Sequence, residues 1–189
     1  MKMLKKIEVK LQFKVALFGD GGVGKTTLVN KYVTGKFLND LKMTIGVDFY
    51  TKVIKVNDTG IMLKIWDFAG DDQYQFKNLL PNYAQGASGG IFMYDITRFH
   101  SIKHLDHWLK ILLKSFKLGE ERIPILLVGG KADLEEKRSV ECDYAEEVAK
   151  IYNLFDVIEC SSLTGDNIEK IFEYLTKKML NSSSRIENI

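Results

Sequence analysis

Residues 19–26, GDGGVGKT, have the spacing G-x-x-x-x-G-K-[ST] of a phosphate-binding loop. The glycines let the backbone curl so that successive N–H groups point toward phosphate oxygens. Lys25 could then reach the β- and γ-phosphates, and the hydroxyl of Thr26 could bind Mg²⁺. A glycine-rich turn that matches this spacing by chance is the alternative. The segment, called the P-loop below, is therefore the first candidate site.

The surroundings of the P-loop favour the functional interpretation. An apolar, strand-like run at residues 13–18 comes directly before it, and an amphipathic, helix-like run at residues 26–33 follows. The N-terminus of a helix has exposed N–H groups and partial positive charge, which attract phosphate. The residues expected to surround the phosphates are Asp20, Gly21, Gly22, Val23, Gly24, Lys25, Thr26 and Thr27.

A second candidate site follows another strand-like run, where Asp67 opens the segment Asp67-Phe68-Ala69-Gly70. An acid at the end of a strand is well placed to hold a metal-bound water, and the N–H of Gly70 can meet a γ-phosphate. A helix cap is the alternative role for a lone Asp67. Paired with the P-loop, Asp67 is predicted to help hold Mg²⁺.

The segment LLVGGKADL, residues 126–134, could select a base. Asp133 can accept both N1–H and N2–H₂ of guanine, which adenine cannot supply, and the stem of Lys131 can lie over the base. Such sites can reject the wrong partner by ~10⁴–10⁵. Alone, K-x-D usually marks an exposed turn. After the last predicted strand, backbone N–H groups could meet guanine O6; the residues there are Ser161, Ser162 and Leu163.

Strand-like and helix-like runs alternate along the chain, which predicts an α/β fold. The predicted strands are residues 11–18, 47–56, 61–67, 89–94, 125–128 and 155–159. A helix is predicted at residues 25–34, and further apolar helical faces are formed by Ile102, Leu105, Leu109, Leu112 and Phe116; by Val140, Tyr144, Val148 and Ile151; and by Ile168, Ile171, Phe172, Leu175 and Met179. A turn at residues 57–60 makes a hairpin. We therefore expect a doubly wound, six-stranded, mostly parallel sheet with one antiparallel edge strand and about five helices.

Length and composition limit the classes of protein to consider. The 189 residues suit a single domain, and 46% hydrophobic residues argue against disorder. A net charge of +2 gives no case for nucleic acid as a partner. The 2 cysteines provide no disulfide framework, which favours a reducing cytoplasm.

Taken together, the motifs resemble those of Ras-superfamily small GTPases, and most closely the Rab branch. TIGVDF at 44–49, KIWDFAG at 64–70, YAQGA at 83–87 and MYDIT at 93–97 resemble IGVDF, KIWDTAGQE, YYRGA and VYDIT. The resemblance implies a P-loop NTPase G domain at residues 11–180, preceded by an N-terminal extension at 1–10. The tail at 181–189 has no lipidation cysteine, so no stable membrane anchor is expected in this chain.

The resemblance also implies roles for individual residues. Thr44 would bind Mg²⁺ through its hydroxyl, which completes a metal set of Thr26, Thr44 and Asp67. Phe37 would pack edge-on against guanine. The catalytic set would be Lys25, Thr44, Gly70 and Asp71. Effector and regulatory proteins would be read by the aromatic trio Phe49, Trp66 and Tyr83, although a core position is an open alternative for Phe49 and Trp66.

Five positions depart from the family pattern, among them Ser162, which replaces an alanine. Asp71 replaces the glutamine that orients the attacking water, and its carboxylate cannot donate to a phosphate oxygen. Two like charges at ~4 Å in an effective dielectric near 20 cost about 4 kcal/mol, so we expect slow hydrolysis. Gly130 replaces the asparagine that ties the base loop to the P-loop, which predicts weaker binding or faster exchange. Leu163 replaces a lysine, and Leu41 replaces a tyrosine.

These observations predict a monomeric switch that binds GTP or GDP with Mg²⁺ and slowly hydrolyses GTP. A GTP-binding scaffold that hardly cycles is the main alternative. A small-molecule kinase or an ATPase is a third, against which Phe37, Lys131 and Asp133 argue. A cytoplasmic location is expected, with a peripheral position at a membrane left open. Asp71, the segment Leu79-Leu80-Pro81 and the missing anchor together resemble archaeal Ras-like proteins.

Overall fold

A six-stranded sheet organises the protein in the computed structural model, which describes residues 8–38, 40, 42–70, 79–112, 115, 117–118 and 121–186. In chain order, the strands of the described residues are β1 (Val9–Phe18), β2 (Val47–Val56), β3 (Thr59–Phe68), β4 (Gly89–Asp95), β5 (Lys117–Leu118), β6 (Glu121–Arg122), β7 (Ile125–Gly130) and β8 (Asp156–Glu159). The large sheet has the order β2-β3-β1-β4-β7-β8, while β5 and β6 pair separately. Strand β2 runs antiparallel to β3, and the other pairs in the large sheet are parallel. The predicted fold class is therefore confirmed.

The helices flank this sheet on both faces. They are α1 (Lys25–Thr34), α2 (Leu80–Ala84), α3 (Phe99–Lys103), α4 (Leu105–Leu112), α5 (Cys142–Ile151) and α6 (Ile168–Ile186), with a 3₁₀ helix at Ala132–Lys137. The described residues thus contain six α-helices where about five were expected, since the helical face beginning at Ile102 is divided by a turn at His104 and α2 had no predicted helical face. Phe116, assigned to the same face, lies outside the described residues.

Two hydrophobic clusters, one on each face, fix the sheet between the helices. On one face α1 packs against α6, where the rings of Tyr32 and Phe172 stack 3.8 Å apart. On the other face, residues of α2, α3, α4 and α5 surround a cluster that includes Phe18 and Phe92. Strands β4 and β7 are buried along their whole length, which explains their nearly continuous apolar sequences.

Two local predictions needed correction. The hairpin turn uses only Asn57 and Asp58, which have positive φ angles of 47° and 63°, so β3 begins at Thr59 rather than at residue 61. Ile151 was placed on an apolar helical face but is 75% exposed, because α5 ends there and buries other side chains. Those side chains are Ala145, Val148 and Ala149.

Candidate nucleotide-binding site

The P-loop leaves the carboxyl end of β1 and turns directly into α1. At Gly19, φ is 135°, and a Cβ atom there would overlap the carbonyl oxygen of Met93 on β4. Gly24, at the N-cap of α1, has a φ of 103°, and no side chain caps the helix. Glycine is therefore needed at both positions, and the first N–H groups of α1 are left for an anion.

Lys25 lies beneath this loop and is only 5% exposed. Its Nζ donates to the carbonyl oxygens of Gly19 at 2.8 Å and Asp20 at 2.7 Å. These bonds hold the ammonium group across the curled loop. The side chain therefore has the placement expected of a phosphate-binding lysine.

The three predicted metal ligands meet beside the P-loop. The hydroxyl of Thr26 donates to Oδ2 of Asp67 at 2.6 Å and lies 2.7 Å from the hydroxyl oxygen of Thr44. Burial raises the pKa of Asp67 to about 6, although the Thr26 hydrogen bond and the charge of Lys25 act in the opposite direction. Asp67 is fully buried, and its Oδ1 has no hydrogen-bond partner among the described residues.

This donor set fits Mg²⁺. Hard oxygen ligands suit that ion, which is usually held by one or two carboxylates together with substrate phosphates and water. A buried carboxylate with an unpartnered oxygen is also stabilised by a nearby cation. Within the described ranges, no group of three or more His, Cys, Asp or Glu side chains is placed to hold a metal ion.

A cavity of about 270 Å³ opens over the P-loop and includes Gly70 in its wall. The N–H of Gly21 donates to the carbonyl oxygen of Gly70 at 3.1 Å, and a Cβ at residue 70 would overlap the backbone of Asp20 and Gly21. Glycine is thus required where β3 ends against the P-loop. The predicted residues lining this cavity are Gly21, Gly22, Gly24, Lys25, Thr26, Thr27, Thr44, Gly70 and Lys131.

A second cavity of about 290 Å³ adjoins the first and shares Gly24, Thr27 and Lys131 with it. Most of the predicted base-binding residues line it together with Val23 of the P-loop, namely Phe37, Lys131, Asp133, Ser162 and Leu163. Met93 of β4 also lines it and was not predicted. The paired cavities match a ligand with a phosphate end and a base end.

Ser161 is the exception among the predicted base contacts. Its hydroxyl donates to Oδ1 of Asp133 at 2.5 Å, and its N–H donates to the carbonyl oxygen of Asp166 at 3.2 Å. The side chain is buried behind Asp133 rather than lining the cavity. Ser161 therefore orients the Asp133 carboxylate, which leaves the backbone at Ser162 and Leu163 for the base.

Comparison with known proteins identifies the family. The model of the Ras family matches residues 14–181, nearly the whole chain. The chain belongs to the Ras family. Ras-related protein Rab5 of Nicotiana tabacum is 37% identical over 169 residues, which cover 89% of this chain and 82% of that protein.

Two further relatives give the same result. Ras-related protein Rab7 of Drosophila melanogaster is 35% identical over 95% of this chain and 86% of its own length. Ras-related protein Rab-19 of Xenopus laevis is 33% identical over 89% of this chain and 76% of its own length. This Ras-family chain is therefore a Rab-like, GTP-binding small GTPase.

The Asp20 side chain points away from the cavities of this GTPase, although a ligand-binding role was predicted. Its carboxylate oxygens lie 2.6 Å from Nδ1 of His104 and 3.2 Å from Nε1 of Trp108. Asp20 therefore anchors the P-loop to α4 through its side chain. Helical periodicity carries no signal for this contact.

Arg98 is a second anchor of the P-loop in this GTPase, and its partner could not be predicted. Its Nη2 donates to the carbonyl oxygen of Gly21 at 2.7 Å, while its Nε lies 3.3 Å from Oδ2 of Asp95. Nζ of Lys131 reaches the same Asp95 oxygen at 2.7 Å. The buried Asp95 carboxylate thus connects a P-loop anchor to Lys131, which was predicted to contact the base.

The predicted aromatic trio forms one surface cluster on β2, β3 and α2. Phe49 meets Trp66 edge-on with ring centroids 4.5 Å apart, and Trp66 lies 5.9 Å from Tyr83. Phe49 is 58% exposed, Tyr83 is 37% exposed and Trp66 is partly buried. Phe49 is therefore a surface residue rather than a core residue, and the cluster is accessible to a partner.

Two departures from the family pattern fall outside the described residues, namely Asp71 and Leu41. Gly130 is described: it ends β7, and a Cβ there would overlap Cε of Met93 and lie 3.0 Å from the carbonyl oxygen of Val23.

Within the described ranges, no helix has the length and apolar character needed to cross a membrane.

Proposed function

We propose that this Ras-family protein is a guanine-nucleotide switch that holds Mg²⁺ with Thr26, Thr44 and Asp67 and slowly hydrolyses GTP to GDP and phosphate. The meeting of these three side chains, contributed by α1, the connection before β2, and β3, carries the proposal. When bound, Mg²⁺ would neutralise charge on the β- and γ-phosphates. The ammonium group of Lys25 adds to that neutralisation from beneath the P-loop.

Switching would follow from two segments that respond to the γ-phosphate. Thr44 lies in the connection that precedes β2, and Gly70 follows the end of β3 and contacts the P-loop. The N–H groups of both would contact a γ-phosphate, so both segments would be held with GTP and released after hydrolysis. Phe49 and Trp66 lie a few residues from these two positions. The aromatic cluster would therefore present a different surface to effector and regulatory proteins in each state.

Slow hydrolysis is proposed on chemical grounds. An ionised Asp71 could accept a hydrogen bond from the attacking water but could not donate one to a phosphate oxygen. Its charge would also oppose the γ-phosphate. An arginine supplied by another protein is worth ~10³–10⁵ in Ras relatives, the standard example of that effect, and would suit a switch with this defect.

The GTP-binding scaffold is the second candidate, and Asp71 and Gly130 favour it. Without the family asparagine, the hydrogen-bonded link between the base loop and the P-loop is lost. Nucleotide-dependent partner binding with measurable turnover would favour the switch over the scaffold.

A cytoplasmic location is proposed because both cysteines, Cys142 and Cys160, are free thiols.

Base selection offers the most direct test of nucleotide identity. Asp133 is an acceptor suited to the N1–H and N2–H₂ of guanine, whereas the side-chain amide introduced by Asp133→Asn would offer a donor to the 2-carbonyl of xanthine. We expect that variant to lose GDP affinity by at least about a hundredfold and to gain affinity for xanthosine diphosphate. Calorimetric titration with both nucleotides and with ADP measures the change.

The control is Asp166→Asn, which makes the same substitution in an exposed side chain that contacts Thr164 nearby. It should keep the preference for GDP. Equal GDP affinity for wild type and Asp133→Asn would contradict the proposed base site, and so would tighter binding of ADP than GDP by wild type.

A further inference from the structure

Gly130 and Met93 compete for one volume at the boundary between the two cavities. A Cβ on residue 130 would overlap Cε of Met93, and a Cβ on residue 24 would lie 3.4 Å from that same methyl group. Met93 is 1% exposed and lines the base cavity. Its terminal methyl therefore lies between the P-loop and the carboxyl end of β7.

That location is where the side chain of an asparagine at 130 would begin. The carbonyl oxygen of Val23 in the P-loop would lie 3.0 Å from the missing Cβ, so a longer polar residue would be directed at the P-loop backbone. In this chain the position has no side chain, and a buried thioether from β4 occupies the adjacent space. Methionine is suited to such a role because it is unbranched and fills irregular gaps.

We propose that Met93 is a positioning residue that links the base loop to the P-loop by packing, in place of the hydrogen bonds of the absent asparagine. The inference rests on the proposed nucleotide site and adds a determinant of nucleotide release to it. The methyl group of Met93 supports the backbone of Gly24 and Gly130 at the same time. Shortening it would leave a void beneath both loops, which weakens their grip on the nucleotide.

A packing link has a consequence that a hydrogen-bonded link does not. Since residue 130 and Met93 share one volume, restoring the asparagine alone should not strengthen binding, because its Cβ must displace the Met93 methyl. Restoring it together with Met93→Val should succeed, since valine is the residue in the VYDIT pattern and suits strand β4. The two substitutions must therefore be strongly non-additive.

The experiment measures release of fluorescent GDP from wild type, Met93→Val, Gly130→Asn and the double variant, in excess Mg²⁺ and unlabelled GDP. We expect Met93→Val to release GDP about tenfold faster, and Gly130→Asn to release it no more slowly than wild type. The double variant should release GDP at least about tenfold more slowly than Met93→Val. Such coupling supports the proposal.

Met179→Val is the control for general loss of packing. Met179 is 1% exposed in α6 and packs at Gly89, at the opposite end of β4 from the cavities. It should lower the thermal midpoint without changing GDP release, whereas Met93→Val changes release. If Met93→Val does not fold, Met93→Leu removes the reach of the terminal methyl toward residues 24 and 130 while keeping side-chain volume, and it should also release GDP faster than wild type.

Two results would overturn the inference while leaving the nucleotide site intact. One is a release rate for Met93→Val equal to that of wild type. The other is a slowing by Gly130→Asn that is the same with Met93 as with valine, because independent effects multiply. Failure of wild-type protein to retain GDP would overturn both the inference and the proposed function, which keeps the two failures distinguishable.

Discussion

The hydroxyl oxygens of Thr26 and Thr44 lie 2.7 Å apart, although the two residues are 18 positions apart in the chain. Thr26 is fixed in the first turn of α1, whereas Thr44 lies in the irregular connection that precedes β2. The contact therefore brings a residue of an irregular connection to the helical end of the P-loop. A metal ion held by these two hydroxyls and by Asp67 would therefore hold that connection against the P-loop.

Substitution of Thr44 tests this coupling. Thr44→Ala removes one oxygen from the proposed metal set while leaving α1 and the P-loop intact. We expect retention of a GTP analogue to require about ten- to a hundredfold more Mg²⁺, with a smaller effect on GDP. Titration of Mg²⁺ against nucleotide release measures this. Thr51→Ala, on the exposed side of β2, is the matched control, and an equal response from both variants would contradict the assignment.

The raised pKa of Asp67 predicts a specific dependence of stability on pH in nucleotide-free and metal-free protein. Because burial raises its pKa from 3.8 to about 6, the folded state binds more protons than the unfolded state between these values. The free energy of unfolding therefore falls as pH rises through that window. Asp67→Asn removes this loss and should stabilise the stripped protein at pH 7 by about 1–3 kcal/mol.

Urea unfolding in a chelator at several pH values between 4 and 7 measures the effect of Asp67. The difference between wild type and Asp67→Asn should be small near pH 4 and should grow until about pH 6. With Mg²⁺ and GDP present, wild type should become the more stable of the two. A pH-independent difference would show that desolvation of this carboxylate is not its cause.

Ser161 is expected to act on guanine through Asp133. Ser161→Ala removes the hydroxyl that donates to Asp133, so the carboxylate loses its fixed orientation. GDP affinity should fall about tenfold, with a smaller fall for inosine diphosphate, which lacks the 2-amino group. Calorimetry on both nucleotides measures the ratio. Ser162→Ala should leave it unchanged, because Ser162 would act through its backbone; identical behaviour of the two variants would contradict the role.

Much of the fold could be predicted because its signals are local. Alternating runs predicted the strand and helix succession, and the strand ends placed the P-loop, Asp67, Lys131 and Asp133 at one edge of the sheet. Strand β3 began earlier than predicted because Asn57 and Asp58 both adopt positive φ angles, which periodicity does not reveal.

The directions of individual side chains were not predictable in the same way. Asp20 sits within the P-loop motif, yet its carboxylate is taken by His104 and Trp108, which lie 84 and 88 residues away along the chain. Ser161 was expected beside the base and instead supports Asp133. In the sequence Met93 is only one member of a motif, because its match to the missing side chain at Gly130 exists only in three dimensions.

The most direct test of the account is single-turnover hydrolysis of GTP by wild type, Asp71→Gln and Asp71→Asn, with bound nucleotide identified by chromatography. We expect slow, Mg²⁺-dependent turnover by wild type, with GDP retained, and faster turnover by Asp71→Gln. Asp71→Asn removes the charge without the reach of glutamine, so it should accelerate hydrolysis less. Equal rates for wild type and Asp71→Gln would contradict the proposed cause of slow hydrolysis, and absence of bound guanine nucleotide would contradict the switch itself.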